Sequence, residues 1–334
     1  MLHTLHCNCS YKYREYLNLK GKAMKKAKEK FVFKDRVVLI TGAGNGFGQE
    51  FAKEACRRGM KMMLADIDEH DLLRTQKWVL DNGGVAEVIV TDVTLEDQVD
   101  AMVNATMEKF GQIDLLINNA GIAFGGEVYE LPSNEWEWIF HANCMSHIYS
   151  MKRVIPIMDK QKTPCYILNV TSLAGLLTMD DMPPYYSTKH FATSLAEAVY
   201  YDIQKKGMNI KMSVFCPSYV HTDLHNCMRH RPPQYTIPDD PFLKSEAYIR
   251  EQKQAEKVIT TGTPLDPVGP FVFDAIENGH FYIQLHPKTK IIIKHFNKDV
   301  VKERNPDYKF MKAAVAVDQN KATFKDLVYL LTHL

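Results

Sequence analysis

The feature that most constrains this chain is a repeated change of hydrophobic period. Short apolar runs occur at VVLIT (37–41), KMMLAD (61–66), AEVIVTD (86–92), IDLLIN (113–118), YILNV (166–170), IKMSVFC (210–216) and FYIQL (281–285). Such runs lack a polar face, as parallel strands buried on both sides do. Between them stand stretches with helical spacing at 49–58, 69–82, 95–110, 133–158 and 185–206. This alternation predicts an α/β fold, with one open, doubly wound parallel sheet of about seven strands and helices on both faces. A chain of 334 residues that is 46% apolar and 24% charged can bury the core this requires.

The rhythm fails at three places. Residues 1–32 read as a basic arm, since residues 1–30 hold eight Lys/Arg against two Glu. His3, His6, Cys7 and Cys9 lack the paired spacing of zinc modules, so no metal is expected. A partly disordered tail is the simplest reading; the alternative is that Tyr11, Tyr13, Tyr16, Leu17 and Leu19 pack on the body or on a neighbouring subunit. Residues 223–266 carry Pro232, Pro233, Pro238 and Pro241 and a charged helical stretch, and they read as a substrate lid. Beyond 285, KTKIIIKHFNKDVVKERNP predicts one more helix and a tail over 286–334, which leaves 33–285 as a single catalytic domain.

Seven cysteines, an odd and scattered set, do not resemble a disulfide framework and fit a reducing cytoplasm. No apolar run approaches the roughly 18 residues of a membrane span, and no signal-peptide core is visible. Neither export nor a membrane is expected. A formal net charge of +1 gives no general argument for nucleic acid.

The first apolar run leads straight into TGAGNGFGQE, a glycine-rich turn that opens a helix. Glycine allows a tight turn and close approach of backbone to a phosphate, and a helix N-terminus offers unpaired N–H groups to an anion. The pattern is Thr-Gly-x3-Gly-x-Gly on Gly42, Gly46 and Gly48, and Phe47 breaks the more familiar Gly-x-Gly-x-x-Gly. Asp66 ends the second run 24 residues after Gly42, where an acid would hold the ribose hydroxyls of a dinucleotide. A 2′-phosphate would meet like charge there, so NAD is expected rather than NADP.

PPYYSTKH at 183–190 places two tyrosines before a basic pair. At helical spacing Tyr185 shares a face with Lys189, and Tyr186 with His190. An ammonium beside a phenol favours phenolate and pulls its pKa below about 10. Spacing alone does not decide between the tyrosines, and Tyr16/Lys20, Tyr201/Lys205 and Tyr308/Lys312 repeat the motif.

Taken together, Thr41 to Gly48, NNAG at 118–121, Asn143, Ser172, and Tyr185 with Lys189 resemble the short-chain dehydrogenase/reductase family of single-domain, Rossmann-like type, over about residues 33–285. Ser172 precedes Tyr185 by 13 residues, the family's spacing, which selects Tyr185 over Tyr186. The resemblance implies that Tyr185 is the general acid in reduction and the base in oxidation. Lys189 would lower its pKa and hold the nicotinamide ribose, Ser172 would bond the substrate oxygen, and Asn143 would support a water-linked proton relay. The bland reading of Asn143 is a helix kink or a satisfied buried amide. Gly42, Asn45, Gly46, Phe47 and Gly48 would line the cofactor, Asp92 and Val93 its adenine, Asn119, Ala120 and Gly121 its support, and Val220 and Thr222 its carboxamide. Ser218 stands where the family usually has glycine, which puts that loop in question. The family also implies a homotetramer built through the helices of Asn143 and Tyr185.

The expected substrate is a bulky apolar ketone or alcohol. Leu176, Leu177, Met179 and Met182, then Leu224, Met228, Tyr235 and Phe242, supply apolar walls, with His221, His225 and His230 as polar contacts. At whole-chain level the arm, PPYYSTKH and FYIQLHPKTK are similar to bacterial hydroxysteroid dehydrogenases, the 20β group above all, which implies reduction of a steroid side-chain ketone such as that of cortisol with NADH. Another steroid or bile-acid position, or an unrelated secondary alcohol, is the alternative. A sugar-nucleotide epimerase would need glycine at Asn45. A nucleotide-sensing or RNA-binding module would not need Ser172, Tyr185 and Lys189 together.

Overall fold

The computed structural model describes residues 30–319 and 321–333. Its strands are β1 (Val37–Thr41), β2 (Lys61–Asp66), β3 (Val85–Val90), β4 (Leu115–Asn118), β5 (Cys165–Val170), β6 (Ile210–Phe215) and β7 (Tyr282–Ile283). Its helices are α1 (Gly46–Arg57), α2 (Glu69–Asp81), α3 (Glu96–Phe110), α4 (Ser133–Phe140), α5 (Ser146–Gln161), α6 (Pro183–Lys206), α7 (Glu246–Thr260), α8 (Val268–Glu277), α9 (Thr289–Val301), α10 (Tyr308–Asp318) and α11 (Phe324–His333). The seven strands form one parallel sheet in the order β3-β2-β1-β4-β5-β6-β7.

Alternation along the strands divides the core in two. Val38 and Ile40 of β1, Met62 and Leu64 of β2, and Leu115 and Ile117 of β4 meet Phe51 of α1, Leu72 of α2 and Phe273 of α8. Leu39, Met63 and Leu116 face the other way, onto Val99 of α3, Met151 of α5 and Ala196 of α6. After β3 the chain crosses β1 to enter β4, so the loops leaving β1 and β4 diverge. A crevice opens at this switch point, where doubly wound sheets bind ligands.

Two features near the crevice follow from local sequence. Pro183 and Pro184 occupy the first turn of α6, where the lost N–H groups had no helical partner, and left-handed Gly207 ends it. The long stretch from Ser133 runs as α4, then a π-helical turn at His141–Met145, then α5.

The chain ends differ from the sequence reading. Phe31, assigned to the arm, is buried against Phe33 and Tyr166. His3, His6, Cys7 and Cys9, where no metal is expected, and the arm's candidate packing residues lie outside the described residues. The supposed tail holds two further helices, α10 and α11. Asp307 caps α10 by accepting the Phe310 N–H at 2.9 Å. Thr323 and Asp326 cap α11 reciprocally, with the Asp326 carboxylate accepting the Thr323 N–H at 2.8 Å. Among the described residues no helix is long and apolar enough to cross a membrane.

Candidate active site

The crevice is a cleft with about 930 Å³ of empty space open to solvent. Of the residues expected to hold a cofactor, Gly42, Asn45, Gly46, Phe47, Asp66, Asp92, Val93, Asn119, Ala120, Gly121 and Thr222 line it. Gly42 and Gly46 have φ of +63° and +52°, the left-handed region that glycine enters without strain. A Cβ on Gly48 would lie 1.9 Å from the Gly42 carbonyl oxygen, so Gly48 shapes the turn from behind rather than lining the cleft. α1 opens on this turn with no side-chain cap, leaving its first N–H groups for an anion. The Asn119 amide donates to the Thr41 and Gly42 carbonyls at 3.0 and 2.9 Å, which ties the end of β4 to the glycine turn.

Asp66 is buried at the tip of β2, accepting the Gly44 N–H at 2.7 Å and the Asp68 N–H at 3.0 Å. Burial raises its pKa, against the pull of those two N–H groups. Gly44 was not among the expected residues; its signal was a fourth glycine within the same turn. Uncapped N–H groups, left-handed glycines and a carboxylate at the second strand tip together fit a dinucleotide. Val220 does not line the cleft, because it is buried in the core and bridged to Thr263. The Ser218 loop is braced by His286, whose Nδ1 accepts the Ser218 N–H at 3.2 Å. The proton of that neutral ring then sits on Nε2, 2.9 Å from the Thr263 hydroxyl.

The chemical end of the site lies where β5 gives way to a short turn and to α6. Ser172, buried just beyond β5, donates to the Pro217 carbonyl at 3.4 Å and lies near enough to the Tyr185 phenol to favour its ionised form. Tyr185 packs with Ile122, Trp138 and Cys227, residues that also wall the cleft. Tyr186 packs instead with Leu177, Met179, Ile292, Phe310 and Met311 beneath the C-terminal helices. The neighbouring tyrosines thus serve opposite sides of α6. Leu177 and Met179 side with Tyr186, whereas Met228, Tyr235 and Phe242 side with Tyr185 and Leu224 lines the cleft. Of the three histidines, His230 lines the cleft and His221 is exposed.

Lys189 is buried and donates to the Val170 carbonyl at 3.3 Å, with its ammonium 5.6 Å from the centre of the Tyr185 ring. Burial pushes the lysine down to about 8. It also pushes the Tyr185 phenol up to about 12, with the nearby Ser172 hydroxyl acting in the opposite direction. A phenol depressed by Lys189 was expected; desolvation outweighs an ammonium that donates to Val170. Asn143 sits in the π turn with its side chain satisfied. It accepts the Ile122 N–H at 2.9 Å and donates to the Ile122 carbonyl at 2.9 Å and the Thr188 hydroxyl at 3.1 Å. The side chain therefore matches the satisfied-amide reading, and it joins the β4 exit to the turn of α6 before Lys189.

Sequence reasoning placed residues 223–266 over the site as a lid but missed the side chains that anchor its first part. Residues 224–235 cross over the cleft in short 3-10 turns. The Gln234 amide donates to Asp92 at 2.9 Å, and Arg229 donates to both Asp68 and Asp71 at 2.5 Å. Burial works to raise Asp71, but hydrogen bonds from Arg229 and Asn45 hold its carboxyl down at about 2. Asp68, Asp71 and His230 bring ligand atoms within 4.8 Å of one another, but the Arg229 guanidinium already supplies the positive charge. Arg231 makes a bidentate pair with buried Glu135 at 2.6 and 2.7 Å, with its guanidinium 4.4 Å from the Trp138 ring centre. These partners lie 96 or more residues away and no local pattern announces them.

With this geometry in hand, comparison with known proteins gives a consistent answer. The short chain dehydrogenase family matches residues 36–232, and the chain belongs to that family of oxidoreductases. It is similar to a CLA biosynthesis dehydrogenase/reductase of Lactiplantibacillus plantarum, 48% identical over 279 residues, spanning 84% of this chain and 98% of that protein. It is 31% identical over 222 residues to a levodione reductase of Leifsonia aquatica, covering 65% of this chain and 80% of that one. A short chain dehydrogenase/reductase from Burkholderia phymatum, solved in complex with NAD, superposes with a TM-score of 0.80 at 34% identity over 83% of this chain and 98% of its own.

Proposed function

We propose that this chain is an NAD(H)-dependent dehydrogenase/reductase that interconverts a ketone and a secondary alcohol on a bulky apolar substrate. The observation that carries the reading is the packing of Tyr185, with Ser172 beside it and Lys189 5.6 Å from its ring centre, against the apolar end of a cleft whose other end is the glycine turn and Asp66. When bound, the nicotinamide supplies or accepts the hydride. Gly42, Gly46 and the α1 N-terminus would cradle its pyrophosphate, and Asp66 its ribose. The Ser172 hydroxyl orients the substrate oxygen toward Tyr185. Tyr185 gives that oxygen its proton in reduction and takes the proton back in oxidation. Lys189, held near 8 by burial, changes charge close to working pH and so exchanges the proton that Tyr185 spends. Asn143 fixes the turn of α6 before Lys189 through Thr188. Residues 223–266 act as the lid, held over the cleft by Gln234, Arg229 and Arg231, and α4 to α6 form the faces of a homotetramer.

Within that class, a steroid side-chain ketone of the cortisol type is the first substrate to test, on the likeness of PPYYSTKH and FYIQLHPKTK to hydroxysteroid dehydrogenases. A different apolar alcohol is the second reading, favoured by the names of the relatives, one from CLA biosynthesis and one for levodione. NADH absorbance loss should be followed with cortisol, a long-chain oxo fatty acid and a cyclic diketone. Turnover with one of them that falls about 10²- to 10⁴-fold in Tyr185→Phe but survives in Tyr186→Phe is the expected result. Equal activity in wild type and Tyr185→Phe would sink the mechanism. Turnover without cortisol among the substrates would remove the steroid and keep the rest.

A further inference from the structure

Asp181, in the loop that joins Ser172 to Tyr185, has φ of +64°, a region that a residue with a Cβ rarely enters. Across it the Asp180 carbonyl accepts the Met182 N–H at 2.8 Å. A three-residue turn closed in this way around a positive φ has the form of the rarer, strained γ-turn. Such a conformation persists only where its surroundings hold it.

The turn is held from two sides. The Asp181 carbonyl accepts the Gly126 N–H at 2.9 Å, from the loop that follows β4. The Asp180 carboxylate accepts the Tyr308 hydroxyl at 2.8 Å, from the first residue of α10. That helix is a firm base. Leu177, just before the turn, is buried against Ile292 of α9 and Phe310 and Met311 of α10, and the Tyr329 hydroxyl of α11 donates at 3.3 Å to Asp307, the cap of α10.

The turn also borders open space. A second cavity, with about 360 Å³ of empty space open to solvent, is lined by Gly125, Gly126 and Asp181 on one side and by Phe242, Tyr248 and Glu251 of the lid on the other. Phe242 packs in the same cluster as Tyr185, so the cavity adjoins the chemical end of the site. A Cβ on Gly125 would fall 2.9 Å from the Asp181 carbonyl oxygen and 3.6 Å from a Glu251 carboxylate oxygen. The turn and α7 therefore both close on the Gly125 backbone.

We propose that this second cavity takes the end of the apolar substrate remote from the reacting carbon, and that Tyr308 is the positioning residue that sets its shape by holding the strained turn at Asp181. The proposal rests on the ketone and alcohol reading above. Without the Tyr308 contact, Asp181 relaxes toward a negative φ and its carbonyl leaves Gly126. Ser172 and Tyr185 are tied separately, the first beside a Leu173 N–H that donates to the Pro217 carbonyl at 2.8 Å and the second by packing with Ile122 and Trp138. The reacting groups keep their places, and only the hold on the far end of the substrate weakens.

The test begins without substrate, as hydrogen exchange of the full chain read by mass spectrometry with fragmentation to single residues. In Tyr308→Phe the Gly126 and Met182 amides should exchange at least about tenfold faster, and Asp180→Asn, which keeps an acceptor for Tyr308, should retain most of the protection that Asp180→Ala loses. With substrate, the KM of a steroid or long-chain ketone should rise about tenfold in Tyr308→Phe with kcat unchanged, while that of a small cyclic diketone stays within about twofold. Asp181→Gly in the Tyr308→Phe background removes the strain and should recover part of the lost KM. Unchanged exchange at both amides in Tyr308→Phe would overturn the positioning role. A KM that rises equally for large and small ketones, or a lowered Tm with KM unmoved, would overturn the cavity's part. Should Tyr308→Phe fail to fold, Asp180→Ala removes the same hydrogen bond. Exchange is read without turnover, so absence of activity on every ketone would remove the reductase reading and still leave the hold of Tyr308 on the turn decided.

Discussion

The two walls of the cleft are built on opposite principles. From β1 to β4 the wall is backbone, made of left-handed Gly42 and Gly46, a Gly48 with no room for a side chain, and an Asn119 that bonds two carbonyls. Opposite, residues 224–235 form a wall without strands, held by side chains that reach across the fold to Asp68, Asp71, Asp92 and Glu135. A wall shaped by missing side chains tolerates no additions. A wall held by ion pairs can be released one contact at a time. The first suits a cofactor whose phosphates demand close backbone approach, and the second suits a substrate that has to enter and leave.

The sharpest way to break the comparison is to add one carbon to the rigid wall. In Gly48→Ala the new Cβ would fall 1.9 Å from the Gly42 oxygen, so the turn has to move. We expect NADH affinity, measured by fluorescence titration, to fall at least about 100-fold, the equivalent of about 3 kcal/mol. Binding within a few-fold of wild type would mean that the turn is as adaptable as the wall facing it.

Next in size is the Arg231–Glu135 pair, whose side chains are 8% and 0% exposed. Arg231→Met removes one partner of a buried charge pair and leaves Glu135 uncompensated, so a loss of about 3–5 kcal/mol in chemical unfolding is expected. The double variant Arg231→Met with Glu135→Leu should recover much of that loss. Loss of less than about 1 kcal/mol in Arg231→Met would show that this part of the wall is not anchored there.

The contrast also explains what the sequence disclosed. The glycine turn and Asp66 were legible because each is a local demand, a left-handed φ or a strand-end acid written in a few adjacent letters, whereas the 13-residue offset from Ser172 to Tyr185 was legible only through the family resemblance. The sheet was legible because strands buried on both faces have nothing else to be. Arg229, Arg231, Gln234 and Gly44 were not singled out. The first three act only on partners far along the chain, and the last was hidden among equivalent glycines. Burial of the Tyr185 phenol and the Lys189 ammonium was likewise invisible to spacing, which puts an ammonium beside a phenol without showing the desolvation that pushes the phenol up. Helices α10 and α11 are a different kind of miss, since Asp307 and the Thr323 to Asp326 box were local signals in plain sight.

A smaller effect is expected at the seam between the walls. Asp66→Asn removes the negative charge that would oppose a 2′-phosphate, so the NADP to NAD ratio of kcat/KM should rise by about tenfold, roughly 1.4 kcal/mol. No change in that ratio would take Asp66 out of cofactor choice and move attention to Arg229 and His230, which approach the same strand tip.

The smallest predicted effect tests whether Arg229 is a releasable latch. Its side chain is 31% exposed, so its pairs with Asp68 and Asp71 are partly screened and Arg229→Ala should cost only about 0.5–1 kcal/mol at neutral pH. The sign of the pH dependence is fixed by Asp71, whose folded pKa, about 2, lies below the roughly 3.9 of an unfolded aspartate. Stabilisation from that pair is therefore complete above about pH 4 and disappears as pH falls through about 2. The Tm gap between wild type and Arg229→Ala should close over that interval and stay constant from pH 5 to 8. At neutral pH the variant should release NADH faster in stopped flow while leaving the chemical step unchanged, because only the side-chain wall has been loosened. A gap that persists at pH 2, or unchanged NADH release, would show that Arg229 packs as structure and that the second wall does not open there.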